Sequence, residues 1–126
     1  MSLQWVALDR DRDLPGRWGL DILSILDYDE PVGEGLNVSA STARKLLRGI
    51  LASGLLHFSG HAKREMARDR LTTVDAVNVL RAGVVEPSEL ENGSWRHRVK
   101  TNSICVVVTL ASETEAIVVT AWRMRR

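Results

Sequence analysis

One stretch decides the fold of this protein: residues 59–124, SGHAKREMARDRLTTVDAVNVLRAGVVEPSELENGSWRHRVKTNSICVVVTLASETEAIVVTAWRM. Its first part contains signals for two helices. Ser59 is a favourable N-cap for one helix, and Thr72–Asp75 is a capping-box-like start for another, with Gly83 as its stop. From Val84 onward the apolar residues alternate with a period of two, as strands require. The stretch therefore predicts helices followed by strands.

A further helix is predicted before this stretch. Ser39 and Ser41 are candidate N-caps, and the helix is expected to run roughly through Leu55, with Gly54 close to its end. Apolar residues at helical spacing form one face, which should pack against the sheet: Ala43, Leu46, Leu47, Ile50 and Leu51.

The strand region has one strong turn and one unusually apolar segment. Glu91-Asn92-Gly93 marks a tight turn. Residues 104–110 are nearly all apolar and β-branched, which is typical of a central strand with both faces covered. Residues 116–124 form the last predicted strand. Since helices precede strands and the connections are short, we predict an α+β fold with two to three helices on one face of an antiparallel β-meander.

Charge divides the chain into two parts. Residues 1–34 carry eight acidic residues and three arginines, a net charge of −5, whereas residues 35–126 carry a net charge of +6. A turn-rich linker, Tyr28–Gly35, separates them. We predict an acidic N-terminal appendage, residues 1–35, and an α+β main body, residues 36–126, in one compact domain overall. The apolar segment Leu20–Leu26 is too short to assign to helix or strand from its period.

Several classes of protein are disfavoured. No run of 18 apolar residues exists, so no membrane span is expected. The N-terminus lacks the pattern of a secretory signal. The single cysteine, Cys105, excludes an internal disulfide, fits a reducing cytoplasm and is expected to be a buried structural thiol.

Cofactor and metal chemistry is also disfavoured. The chain has no glycine-rich phosphate loop, nucleophile elbow or close carboxylate pair at a strand end, which argues against kinases, common hydrolases and dinucleotide enzymes. His57 and His61 lack a third ligand at metal spacing. We expect no cofactor and no metal.

What remains is a set of basic residues. Three share one face of a strand, and three can line one side of a polar helix: Arg96, Arg98 and Lys100, then His61, Arg64 and Arg68. Together they can bind an RNA phosphate, stabilise developing charge and supply a general acid. The alternatives are a solvated basic face, or one that pairs with the acidic appendage.

Residues 58–122 resemble an uncharacterised bacterial domain family related to the BrnT and RelE-like toxins, which are small metal-independent ribonucleases. The matching elements are Phe58-Ser59-Gly60-His61-Ala62, Met66, Leu71-Thr72, Asp75-Ala76, Val84-Val85, Arg98-Val99, Val106-Val107-Val108 and Val118-Val119-Thr120-Ala121-Trp122. The resemblance implies a RelE/BrnT-like fold. It also implies active-site roles for His61, Arg98 and Thr120. The basic residues predicted to bind an RNA phosphate beside them are Arg64, Arg68, Arg96 and Lys100.

The chain departs from the family pattern at two positions. Glu65 and Asp69 stand where the family usually has arginine, and a carboxylate there would repel a phosphate. The first hypothesis is therefore a non-catalytic immunity or antitoxin-type protein. It would neutralise a cognate toxin from a neighbouring gene, with an acidic segment that imitates nucleic acid: Asp9, Asp11, Asp13, Asp27, Asp29 and Glu30.

Two other functions remain open. One is an active ribonuclease toxin that cleaves RNA with His61, Arg98 and Thr120, with the acidic appendage shielding its site. The other is a small regulatory or structural homodimer, because an exposed sheet edge is a ready site for strand pairing.

Overall fold

The computed structural model describes residues 32–124, so most of the predicted acidic appendage and the segment Leu20–Leu26 lie outside the described residues. The described part has an α+β fold. Its helices are α1 (Ala40–Ser53), α2 (Gly60–Arg68) and α3 (Thr73–Ala82). Its strands are β1 (Leu55–Phe58), β2 (Val84–Val85), β3 (Glu89–Glu91), β4 (Ser94–Lys100), β5 (Ile104–Leu110) and β6 (Glu115–Arg123).

The helix starts are where the capping residues predicted them. The Ser39 hydroxyl accepts a hydrogen bond from the Thr42 backbone N–H at 3.2 Å, and Ser59 caps α2 in the same way. At α3 the capping box is complete. Thr72 Oγ1 accepts from the Asp75 N–H at 3.1 Å, and the Asp75 carboxylate accepts from the Thr72 N–H at 2.8 Å.

Strand β1 was not predicted. Helix α1 ends at Ser53 because Gly54 breaks it, and the Leu55 N–H then donates to the Thr114 carbonyl at 2.9 Å. From there β1 runs parallel to β6, with Phe58 opposite Val118. The sheet is consequently mixed. Four residues are too few for a period to be read, and the strand's partner lies about sixty residues away.

The remaining strands form the predicted antiparallel meander. The sheet order is β1-β6-β5-β4-β2, and β3 also pairs with β4. The β3–β4 turn holds Asn92 and Gly93 at φ values of 51° and 81°, the left-handed conformations that an Asn-Gly hairpin turn requires. This turn fixes Glu91 opposite Ser94 and Glu89 opposite Arg96.

All three described helices contribute to one core on one face of the sheet, as predicted. The helices contribute Leu47, Met66 and Leu80 to this core, and the strands contribute Val99 and Val118. The opposite side of the sheet, which we call the second face, has its own apolar cluster. Its members are Cys105, Val107 and Val119, with Val32, Trp122 and Met124 packed against them.

Strand β5 is buried on both faces, which confirms its prediction as a central strand. Residues 105–110 are all buried, and Cys105 is the buried thiol that was expected. In residues 32–124, no helix is both long and apolar enough to traverse a bilayer.

Candidate functional site

Two of the three predicted active-site residues lie on one row across the sheet. Arg98 on β4 pairs with Val107 on β5, which pairs with Thr120 on β6. Residues paired in this way point to the same face, and here it is the second face. Two strand spacings separate Arg98 from Thr120, about 10 Å between their Cα atoms. Both residues are half-buried.

A β-bulge sits beside Thr120. Val107 pairs with Thr120, but the next residue, Val108, pairs with Val118, so Val119 is the extra residue on β6. Bulges of this kind re-aim neighbouring side chains and are common beside active sites. Here the bulge places Val119 and Thr120 together at the second face.

The third residue, His61, is on a different element that is attached to this bulge. The Ser59 hydroxyl donates to the Val119 carbonyl at 3.1 Å, and the Ser59 N–H donates to the Val118 carbonyl at 3.0 Å. These bonds hold the first turn of α2, which includes His61, next to the strand position that precedes Thr120. The His61 side chain is exposed. The first turn of α2, and with it His61, is therefore tied to Val118 and Val119 of β6, but α2 packs into the core on the helix side of the sheet, whereas Arg98 and Thr120 point to the second face.

The basic residues of β4 are paired with carboxylates of their own chain. The three pairs join β4 to residues 86–91: Arg98 to Glu89 at 2.6 Å, Lys100 to Glu86 at 3.0 Å and Arg96 to Glu91 at 3.7 Å. The hydrogen bond from the Glu89 carboxylate raises the pKa of Arg98. Each cation on this face therefore has a neutralising anion within the described residues.

The basic residues of α2 are more exposed. Arg64 faces solvent, and Arg68 pairs with Glu65 at 3.2 Å with 72% of the Arg68 side chain exposed. An exposed pair at this spacing contributes about 0.5 kcal/mol or less to stability. Glu65, one of the two unexpected carboxylates, thus offsets the charge of the arginine one turn away.

Asp69, the other unexpected carboxylate, has a structural role. Its Oδ2 accepts a hydrogen bond from the Arg123 backbone N–H at 2.8 Å, while Arg123 Nε donates to the Asp69 carbonyl at 2.9 Å. Helix α2 thereby runs along the second half of β6, from Ser59 at Val118–Val119 to Asp69 at Arg123. Ten helical residues span about 15 Å and four strand residues about 14 Å, so the two lengths match.

Sequence reasoning missed these structural acids, although one signal for them was present. The two-residue Asn92-Gly93 turn fixes the β3–β4 register, which places Glu89 and Glu91 beside the basic residues of β4. Asp69 offered no comparable signal because its partner, Arg123, is 54 residues away in the sequence.

The three histidines lie on separate elements. His57 Nε2 is 3.8 Å from Glu115, whereas His97 is fully buried with Nδ1 2.9 Å from the Glu86 carbonyl. Among residues 32–124 no group of three or more histidine, cysteine or acidic residues is arranged to hold a metal ion. The predicted partner-binding acids, from Asp9 to Glu30, lie outside the described residues.

Comparison with known proteins found no relative. No family model, curated protein or solved structure matches this chain.

Proposed function

We propose that this protein is a non-catalytic binding protein of a bacterial toxin system, an immunity or antitoxin-type neutraliser of a nuclease. The observation that carries the proposal is the 2.6 Å ion pair between Arg98 and Glu89. The arginine that should hold a phosphate is already bound to a carboxylate of its own chain. An RNA phosphate would have to displace that carboxylate and then lie close to it.

Two further observations support a binding role. Arg96 and Lys100 are also paired with acids, so the strand offers no unpaired cation to a phosphate among the residues of β4. The Asp69 carboxylate accepts a hydrogen bond from the Arg123 N–H and lies at the end of α2. The proposed partner is a cognate toxin encoded by a neighbouring gene, and the acidic appendage is the proposed contact with its RNA-binding surface.

Co-expression with the product of each neighbouring gene tests the proposal. We expect protection from growth arrest by one of these products and its co-purification with this protein. Replacing Asp27, Asp29 and Glu30 by lysine should abolish both effects. The control is Glu113→Lys, which reverses the charge of an exposed acid in the β5–β6 hairpin. It should change neither the protection nor the co-purification. Lack of protection and lack of co-purification with every neighbour would contradict the proposal.

The alternative is an active metal-independent ribonuclease that uses His61, Arg98 and Thr120. The shared row of Arg98 and Thr120, with the first turn of α2 tied beside it, favours this alternative. Expression of the protein alone would then arrest growth, and His61→Ala would relieve the arrest. Purified protein would cleave RNA in the presence of EDTA. That result would overturn the neutraliser proposal.

A further inference from the structure

The second face of the sheet is buried without a covering layer in the described part of the chain. Cys105 is 0% exposed and Val107 is 4% exposed, although both point away from the three helices. On the same face, Thr109 and its strand partner Ile117 are also buried. Central-strand side chains of this kind are exposed unless another layer packs on them.

The chain that precedes α1 reaches this face. Gly35 lies so close to Thr109 that a Cβ on the glycine would meet the Thr109 methyl group at 2.6 Å. The Trp95 N–H donates to the Glu34 carbonyl at 2.8 Å, which fixes the path of the chain at the edge of the sheet. Val32 packs against the cluster of Cys105 and Val107. Val32, the first described residue, therefore lies against the apolar cluster of the second face.

The preceding sequence has suitable chemistry and length. The segment Leu20–Leu26 contains five large aliphatic residues, and five residues separate it from Val32. Five to twelve extended residues reach about 17 to 40 Å, whereas the strands β4 to β6 span about 10 Å of sheet. The segment can therefore lie anywhere on this face without strain in the connection.

We propose that residues 20–31 of the same chain pack across the second face and cover Cys105, Val107 and Val119. The apolar segment Leu20–Leu26 supplies the missing layer, and it covers the row of Arg98 and Thr120 as well. Asp27, Asp29 and Glu30 are then held at the margin of the sheet. The inference is independent of the proposed function, because it concerns the cover of the sheet and not the identity of a partner.

Cys105 is the only cysteine in the sequence and is buried on this face, so its reactivity reports on the cover. The test is the rate at which the Cys105 thiol reacts with a thiol reagent under native conditions. Leu23→Asp and Ile25→Asp should each accelerate the reaction by about tenfold or more, since each removes the burial of one aliphatic side chain. Ser24→Asp adds the same charge without losing an apolar group and should have a smaller effect.

Disulfide formation provides a second measurement that does not depend on disruptive charges. Ile22→Cys, Leu23→Cys and Ile25→Cys introduce a thiol into the segment, and at least one should form an intramolecular disulfide with Cys105 under mild oxidation. Ser53→Cys, at the end of α1 on the opposite face, should not. Equal Cys105 reactivity in all variants, with no intramolecular disulfide, would overturn the proposal. A disulfide-linked dimer would overturn it too, by showing that a second copy covers this face.

Discussion

The Asp69 carboxylate accepts the backbone N–H of Arg123 at 2.8 Å, which gives the last residue of β6 the hydrogen-bond partner that a neighbouring strand would otherwise supply. Strand β1 ends at Phe58, opposite Val118, so β6 continues for five residues without β1 beside it. Helix α2 occupies this edge. A carboxylate is well suited to the position, because an ionised acceptor forms a stronger bond than a neutral one.

Asp69→Ala should lower the free energy of unfolding by about 1–2 kcal/mol, because the backbone N–H of Arg123 loses a hydrogen bond to a charged group. The Arg123 amide should also exchange its hydrogen faster. Urea unfolding and hydrogen exchange measure the two effects. Glu65→Ala, on the same helix, removes only the exposed pair with Arg68 and should cost about 0.5 kcal/mol or less. Equal losses in both variants would contradict the assigned role of Asp69.

Arg44 ties α1 to the end of α3, and its removal should destabilise both. Its Nη1 donates to the Leu80 carbonyl at 2.6 Å and to the Arg81 carbonyl at 3.2 Å, while Nη2 donates to the Gly83 carbonyl. Arg44→Met should lower the unfolding free energy by about 1–3 kcal/mol, because helix C-terminal carbonyls lose a charged donor.

The neighbouring residue supplies the control for Arg44. Lys45 is exposed on α1, and Lys45→Met should change the stability by no more than about 0.5 kcal/mol. Thermal unfolding of the two variants, followed by circular dichroism, makes the comparison. A similar stability for both would show that the Arg44 bonds do not hold the two helices together.

Alanine substitutions at two glycines should change the stability of the protein in opposite directions. Gly49 is inside α1 with no atom within 4 Å of a built Cβ, so Gly49→Ala should raise stability by about 0.5–1 kcal/mol. At Gly83 the Cβ would lie 2.8 Å from the Lys100 carbonyl and 2.7 Å from the Val79 carbonyl. Gly83→Ala should therefore cost about 1–3 kcal/mol. Denaturant midpoints measured for both variants and the wild type test the predicted gain at Gly49 and the predicted loss at Gly83.

Cys105 should make stability fall in alkaline solution. Burial raises the pKa of the Cys105 thiol above its usual value. The stabilisation linked to this group is present below the unfolded pKa, about 8.5, and is lost as the pH rises toward the folded pKa. Urea unfolding at pH 7 and pH 10 should show a smaller decrease for Cys105→Ala than for the wild type. An identical pH dependence of the two proteins would contradict this prediction.

Much of the fold was predictable because its signals are local. The capping box of Thr72 and Asp75 and the Asn92-Gly93 turn are complete within four residues of sequence. The apolar character of β5 likewise predicted a central strand that is buried on both faces. Strand β1 was missed because Leu55–Phe58 is too short for a period and acquires its conformation from β6, about sixty residues later.

The candidate site was only partly predictable. Alternation along β4 correctly placed Arg96, Arg98 and Lys100 on one face of the sheet. It could not show that this is the second face, on the side away from the helices. Nor did it identify the anions that pair with these cations. The spacing of His61, Arg64 and Arg68 likewise did not show that α2 runs along the edge of β6. These are relations between elements, and the periodicity of one element does not contain them.

The sequence by itself determined the α+β class, the starts of the helices, the tight turn and the burial of Cys105. Each depends on a backbone preference or on apolar patterning that acts within a few residues. The hairpin turn places Glu89 beside β4, but only the tertiary structure decided that Glu89 pairs with Arg98 and not with Arg96 opposite it, and that Asp69 binds the N–H of Arg123. An ionised side chain is stabilised by whichever partner the folded chain brings within hydrogen-bond distance, and sheet register and helix docking set that distance.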